Sequence, residues 1–357
     1  MRAAVLYARR EPFAVEEVRL VEPGPGEVEV QVVASGVCHS DHHQWVRAAG
    51  VPLPAVLGHE GAGVVASVGP GVSRVRPGDH VILVFGARCG RCSYCRRGEG
   101  NLCRPEPPRA RLFAGDQPLL QFTGLGTFGE RAVVSELNCV PIRADAPLAE
   151  AALIGCGVTT GVGAAINTAR VEPGANVAVI GTGGVGLNVV QGARLAGAAR
   201  VIAVDVRANK LELAREFGAT HVVDASREDP VAAVQRLTGG DGADYAFEVI
   251  GGAATIRQAV DTVRRGGTAV VVGVAPDDET ISLPAALLTR NGKRLVGSWY
   301  GSSNPDVDFP RLVDLVMEGR LKLRELVTRR FALEEINEAF RALEAGEVAR
   351  GLVEYSR

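Results

Sequence analysis

The chain has 357 residues, length for about two domains of ~150 residues each. With 46% hydrophobic and 22% charged residues it can fill sizeable cores, which excludes a disordered chain or a disulfide-held miniature scaffold. Its 39 basic and 41 acidic residues leave a net charge of -2, which argues against nucleic acid or a membrane surface as partner. No run reaches the ~18 apolar residues of a membrane span, and the first apolar run is too short for a signal-peptide core, so a cytoplasmic protein is expected.

In chain order, the first third reads as short strands (28–33, 61–68, 80–85) separated by Pro-Gly pairs at 23–24, 25–26, 70–71 and 77–78. That pattern predicts a small irregular β-barrel, with a loop carrying Cys38 to His43. Near residue 150 the pattern changes. Strand-like runs at 177–180, 201–205, 221–223, 245–250 and 268–274 alternate with helical runs at 185–196, 209–217 and 256–263. Such alternation predicts an α/β, doubly wound parallel sheet. Two helical stretches (309–318 and 333–345) and a last strand at 351–355 follow.

Seven cysteines in a chain read as cytosolic point to metal or catalysis before disulfides. Cys89, Cys92, Cys95 and Cys103 stand within 15 residues, at spacings that suit a loop folded around one ion. Four thiolates with no open position describe a structural, tetrahedral zinc. The remaining candidate ligands are scattered: Cys38, His59 and Cys156 together supply Cys₂His, a set that leaves zinc a fourth position for water or substrate. Cys139 is expected to be an ordinary buried thiol.

Gly181-Thr-Gly183-Gly184-Val185-Gly186 follows a strand and opens a helix, the arrangement of a dinucleotide cradle. Gly181 makes the tight turn, Gly183 lets backbone reach a pyrophosphate, and Gly186 lets the helix pack closely. Asp205 ends the next strand, 24 residues after Gly181, where an acid bonds ribose hydroxyls and repels a 2′-phosphate. NAD is therefore expected over NADP. Arg207 lies near enough to blunt that preference, and Lys210 is a second candidate ribose contact.

Taken together, Gly-His59-Glu60-x-x-Gly63, Cys38-His-Ser40-Asp41, the four-cysteine lobe, Gly-Cys156-Gly-Val-Thr-Thr160-Gly and the Gly181–Gly186 turn resemble the zinc-dependent medium-chain alcohol dehydrogenases along the whole chain. The resemblance implies a GroES-like catalytic domain over 1–157 with a structural zinc lobe at 86–104, a Rossmann NAD-binding domain over 158–299, and a 300–357 segment returning to the first. It implies two zincs per chain, one catalytic at Cys38, His59 and Cys156 and one structural. Glu60 is implied to lie just behind the catalytic metal, and Asp41 to orient His59. Ser40 is implied to take the alcohol proton and pass it through the nicotinamide ribose to His43. His43 is preferred to its neighbour His42 for that role. His39 is implied at the pyrophosphate and Thr160 near the nicotinamide. Val272, Val274 and Arg350 match further cofactor-contact segments, and so does 247–251. Phe85, Phe122, Val274 and Trp299 match a substrate pocket, with Trp45 and Ala49 near its mouth.

The implied reaction is reversible hydride transfer between an alcohol, aromatic or medium-chain, and NAD, by a homo-oligomer (dimer or tetramer). Two rivals are a thiol-adduct (formaldehyde) dehydrogenase of the same fold, with Arg47 as its anion site, and a zinc-free quinone reductase or non-catalytic binding relative. The intact Cys38, His59 and Cys156 set argues against the second.

Overall fold

Glu27–Val37, an eleven-residue strand, organises the first half of the structure. Val28, Val30 and Val32 are buried while Glu29 and Gln31 are not, the alternation of a strand with one face on a core. One edge pairs antiparallel with Glu60–Val68. The other is shared: Arg131–Ser135 takes residues 27–31, and Arg350–Glu354 takes residues 34–37. In the computed structural model, which describes residues 1–47, 50–104 and 109–355, the chain forms two units. One is Met1–Cys156 with Asn304–Arg357, the other Gly157–Ser303.

The first unit holds two sheets. The larger runs Cys139–Pro141, His80–Leu83, Glu60–Val68, Glu27–Val37, Arg350–Glu354, Val327–Phe331, with Arg131–Ser135 beside the long strand. The smaller runs Ala14–Glu17, Arg2–Leu6, Ala55–Val56, Gln117–Gln121, Leu112–Ala114, Arg19–Leu20. This is the GroES-like β-architecture. The helix Ile336–Ala345 seats Phe340 against Phe13 and Phe128, with ring centroids 4.7 and 5.9 Å away. Each such buried side chain contributes roughly 1.5–3 kcal/mol.

In the second unit six strands, all parallel, run His221–Asp224, Arg200–Asp205, Asn176–Ile180, Ala243–Glu248, Val263–Val271, Arg294–Gly297. Val177 to Ile180 are buried throughout, as in a sheet covered on both faces. The order reverses beside Asn176–Ile180, the strand that ends in the glycine turn. In sheets of this kind ligands bind at the carboxyl ends of the strands where the order reverses. The fold is the expected Rossmann doubly wound sheet.

Several elements differ from the sequence reading, strands Gln117–Gln121, Arg131–Ser135 and Arg294–Gly297 among them, and two helices show why. Residues 39–46, read as loop, form the helix His39–Val46. A helix the periodicity did not reveal, Pro230–Leu237, is started by Asp229, whose carboxylate accepts the Val231 N–H, with Pro230 in its first turn. Among the described residues no single helix is long and apolar enough to cross a membrane.

Candidate metal and cofactor sites

Three elements of the first unit bring four ligand-type side chains together. Cys38 follows the long strand and caps the helix His39–Val46. His59 directly precedes Glu60–Val68, and Cys156 follows the turn Ala152–Gly155. The ligand atoms of Cys38, His59, Glu60 and Cys156 all lie within 4.8 Å of one another, and all four residues are buried. Gly58 makes this approach possible. Its φ is +87°, and a Cβ there would sit 2.6 Å from the Phe128 backbone nitrogen.

Asp41, fully buried, ties the parts together. Its Oδ1 accepts the Gly58 N–H at 2.9 Å and a hydrogen bond from His59 Nδ1 at 3.0 Å, and its Oδ2 accepts the Cys38 N–H at 3.3 Å. With Nδ1 so engaged, His59 Nε2 is left buried with no hydrogen-bond partner. An orphaned imidazole nitrogen facing two thiols is costly unless it ligates a metal. Two thiols and an imidazole fit zinc and leave one position open. Hydrogen bonding from Cys156, with the charge of buried Arg350 and against burial, drives Cys38 toward thiolate, the form a metal takes. Burial opposes protonation of His59, but the Asp41 carboxylate and Cys38 outweigh it and raise its pKa.

Glu60 is turned onto Arg350, its buried ion-pair partner. Burial pushes its carboxyl up to about 7 even so. Arg350, expected among the cofactor contacts, is thus placed at 4% exposure behind the metal cluster, a pairing across 290 residues that no sequence signal announced. The rings of Phe85 and Phe122 stand edge-on to His59, both with centroids at 5.5 Å.

On the helix His39–Val46, Ser40 Oγ lies 3.8 Å from Cys38 Sγ. His39 is exposed. His42 Nε2 reaches the exposed Glu344 at 3.4 Å. Burial, helped by Arg47, holds the pKa of the His43 imidazole down at about 4. Trp45 donates its indole N–H to the Glu11 carbonyl at 2.8 Å and packs on Phe340, so it is tied into the core. Ala49 lies outside the described residues.

The thiols of Cys89, Cys92, Cys95 and Cys103 likewise fall within 4.8 Å of one another. Backbone N–H groups already point at sulfur: Cys92 to Cys89 at 3.4 Å, Cys95 to Cys92 at 3.5 Å, Cys89 to Cys103 at 3.4 Å. The Arg91 and Cys92 N–H groups bring the Cys89 thiol down to about 6. Backbone N–H groups thus favour thiolate at Cys89 and Cys92, while burial raises Cys95 and Cys103, and the set of four thiols fits a closed tetrahedral zinc. At the base of the lobe, Arg88 and Arg74 both bond Asp306. Cys139 is buried apart from both clusters, and burial pushes its thiol up to about 12.

In the second unit Gly181 turns with φ +93°, and a Cβ on Gly186 would lie 1.9 Å from the Gly181 carbonyl oxygen. Nothing lies within 4 Å of the Cβ position of Gly183, the N-cap of Gly184–Leu195, so the turn fits an approaching phosphate. Gly184 and Val185 open that helix. Asp205 bonds the turn itself, accepting from Thr182, a residue the sequence reading passed over. Arg207 is exposed and Lys210 half-buried. Glu248, inside the 247–251 segment matched to cofactor contacts, is fully buried and accepts the Ile250 and Gly251 N–H groups and the Thr255 hydroxyl, all at 2.8 Å. Its backbone oxygen accepts the Val272 N–H at 2.8 Å, and Ile250 packs over Gly181. Thr160 is half-buried on Gly157–Gly163, while Val274 and Trp299 are 46% and 54% exposed.

Residues 24–144 match the family described as alcohol dehydrogenase GroES-like domain, and residues 184–318 the family described as zinc-binding dehydrogenase. The chain is 42% identical to an NDMA-dependent alcohol dehydrogenase of Amycolatopsis methanolica, with 99% of each chain covered. It is 39% identical to an S-(hydroxymethyl)glutathione dehydrogenase of Paracoccus denitrificans, again over 99% of each. Among solved structures, benzyl alcohol dehydrogenase from Acinetobacter calcoaceticus superposes with a TM-score of 0.94 at 34% identity, over 99% of both chains.

Proposed function

The chain belongs to the zinc-binding alcohol dehydrogenase family with a GroES-like domain, and from that premise we propose that it transfers a hydride reversibly between an alcohol and NAD, giving an aldehyde or ketone. The observation that carries this reading is His59 Nε2, buried without a partner beside the thiols of Cys38 and Cys156. These three residues would hold a catalytic zinc, and Cys89, Cys92, Cys95 and Cys103 a structural one. When bound, the catalytic zinc supplies Lewis acidity at the alcohol oxygen and NAD supplies the hydride acceptor.

The chain's own residues do the rest. Asp41 engages His59 Nδ1, which leaves Nε2 as the ring nitrogen that a metal would take in place of a proton. Arg350 holds Glu60 as a buried counter-charge. Ser40, next to Cys38, holds the alcohol proton. His43, held neutral at any pH well above about 4, passes it on to solvent instead of keeping it. In the second unit the Gly181–Gly186 turn offers bare backbone to the pyrophosphate, and Asp205 sets the preference for NAD. A cytoplasmic homo-oligomer is the proposed setting, where a reducing environment keeps all seven cysteines as thiols.

Phe85 and Phe122 beside His59, with a benzyl alcohol dehydrogenase among the similar structures, support an aromatic or medium-chain alcohol. A second reading, oxidation of a formaldehyde–thiol adduct, is supported by the relative named S-(hydroxymethyl)glutathione dehydrogenase and by Arg47 at the end of the helix His39–Val46. Absorbance at 340 nm with NAD and either benzyl alcohol or S-(hydroxymethyl)glutathione separates the two. Absence of NADH formation with every alcohol and thiol adduct tried, in protein that carries no zinc, would overturn both.

A further inference from the structure

Asp205 is the acid proposed to receive the coenzyme ribose, yet its carboxylate is already engaged. Oδ1 accepts the N–H groups of Val206 and Arg207 at 2.8 and 3.1 Å. Oδ2 accepts from Thr182 twice, from its N–H at 2.8 Å and from its hydroxyl at 3.0 Å. An ionised carboxylate has about four acceptor sites, so a ribose hydroxyl has to displace a donor. Three of the four are backbone groups fixed by the turn and the strand end. The fourth is the side chain of Thr182, which is 1% exposed.

We infer that Thr182 is a specificity-determining residue, whose hydroxyl competes with the ribose of the dinucleotide for Oδ2 of Asp205. The inference rests on the reading that the second unit takes NAD. Binding strips the buried Thr182 hydroxyl of its partner, so coenzyme is held less tightly than the acid alone would hold it. Looser holding favours release, a step that limits many enzymes of this kind of cycle. The competition touches only a ligand that donates a hydrogen bond to Oδ2. NADP has lost the 2′-hydroxyl donor to its phosphate, so the hydroxyl of Thr182 costs NAD more affinity than it costs NADP.

The test is direct titration of the whole protein with NADH and NADPH, read by coenzyme fluorescence without any alcohol. Thr182→Val keeps the shape and removes the hydroxyl, while three backbone N–H groups still hold Asp205. It should bind NADH roughly 5–10-fold more tightly, the worth of about one net hydrogen bond, with NADPH affinity rising clearly less. Thr182→Ser, which retains the hydroxyl, should keep the wild-type NADH affinity. NADH binding no tighter in the Val variant, equal tightening for both coenzymes, or a Ser variant that matches Val would each overturn the inference. Wild-type protein that binds neither coenzyme is a separate result, and overturns the coenzyme reading together with this one.

Discussion

Replacing Asp41 with Asn changes no shape and three hydrogen bonds. The amide has one oxygen where the carboxylate has two. If that oxygen stays with the Gly58 N–H and His59 Nδ1, the NH₂ group turns toward the Cys38 N–H, donor against donor. If it turns to Cys38, the donors at Gly58 and His59 both lose their acceptor. In either pose the imidazole loses the negative charge that strengthens Nε2 as a ligand. Loss of such an outer partner weakens metal binding by about 10–100-fold, or roughly 1.4–2.7 kcal/mol. One buried donor left unsatisfied adds about 1–3 kcal/mol of destabilisation to a fold whose total is on the order of 5–15. The assay is zinc per chain through a chelator titration, with the melting temperature read in parallel. The variant should release the zinc of Cys38, His59 and Cys156 at 10–100-fold lower chelator strength and keep that of the cysteine lobe. Release of both zincs at the wild-type chelator concentration would refute the claim that the Asp41–His59 bond sets the metal affinity.

Cys92→Ser should leave the catalytic zinc in place but lower the melting temperature and speed hydrogen exchange across the 86–104 lobe, because a structural zinc contributes folding energy directly; unchanged stability and metal content would count against the lobe. His43→Gln should lower kcat roughly tenfold near pH 7, whereas His42→Gln should be nearly silent, since the His42 ring turns to the exposed Glu344. Burial depresses the His43 pKa to about 4, below its ordinary value near 6.5. The stability it contributes is therefore complete above pH 6.5 and is lost as pH falls toward 4. His43→Gln should flatten that part of the stability profile in chemical denaturation, and an unaltered slope would mean the ring is not held neutral.

What the sequence made legible was local. The glycine turn, the four-cysteine lobe and the strand–helix alternation each lie within a few dozen residues, so spacing alone exposes them. The helix His39–Val46 was missed because His-Ser-Asp-His-His-Gln offers no apolar stripe and is capped by a cysteine instead of Ser, Thr or Asp. The pairing of Glu60 with Arg350 had no local signature at all. It follows from Arg350–Glu354 lying against Glu27–Val37, a register that only the folded sheet reveals. Thr182 was legible as part of a Gly-x-Gly pattern but not as a donor, since which hydroxyl meets Asp205 depends on the side-by-side register of Asn176–Ile180 and Arg200–Asp205.

That register of Arg350–Glu354 also fixes an order of events during synthesis. The long strand Glu27–Val37 is made early, but its neighbour emerges from the ribosome some 300 residues later. At roughly 5–20 residues per second the wait is on the order of 15–60 s. All of Gly157–Ser303 is translated within that interval, and its six parallel strands need nothing from elsewhere in the sheet order. The second unit can therefore finish folding on the nascent chain while the first still shows an open strand edge to the cell. In this protein the part made first is completed last, and the interval before residue 350 is when a chaperone has most to protect.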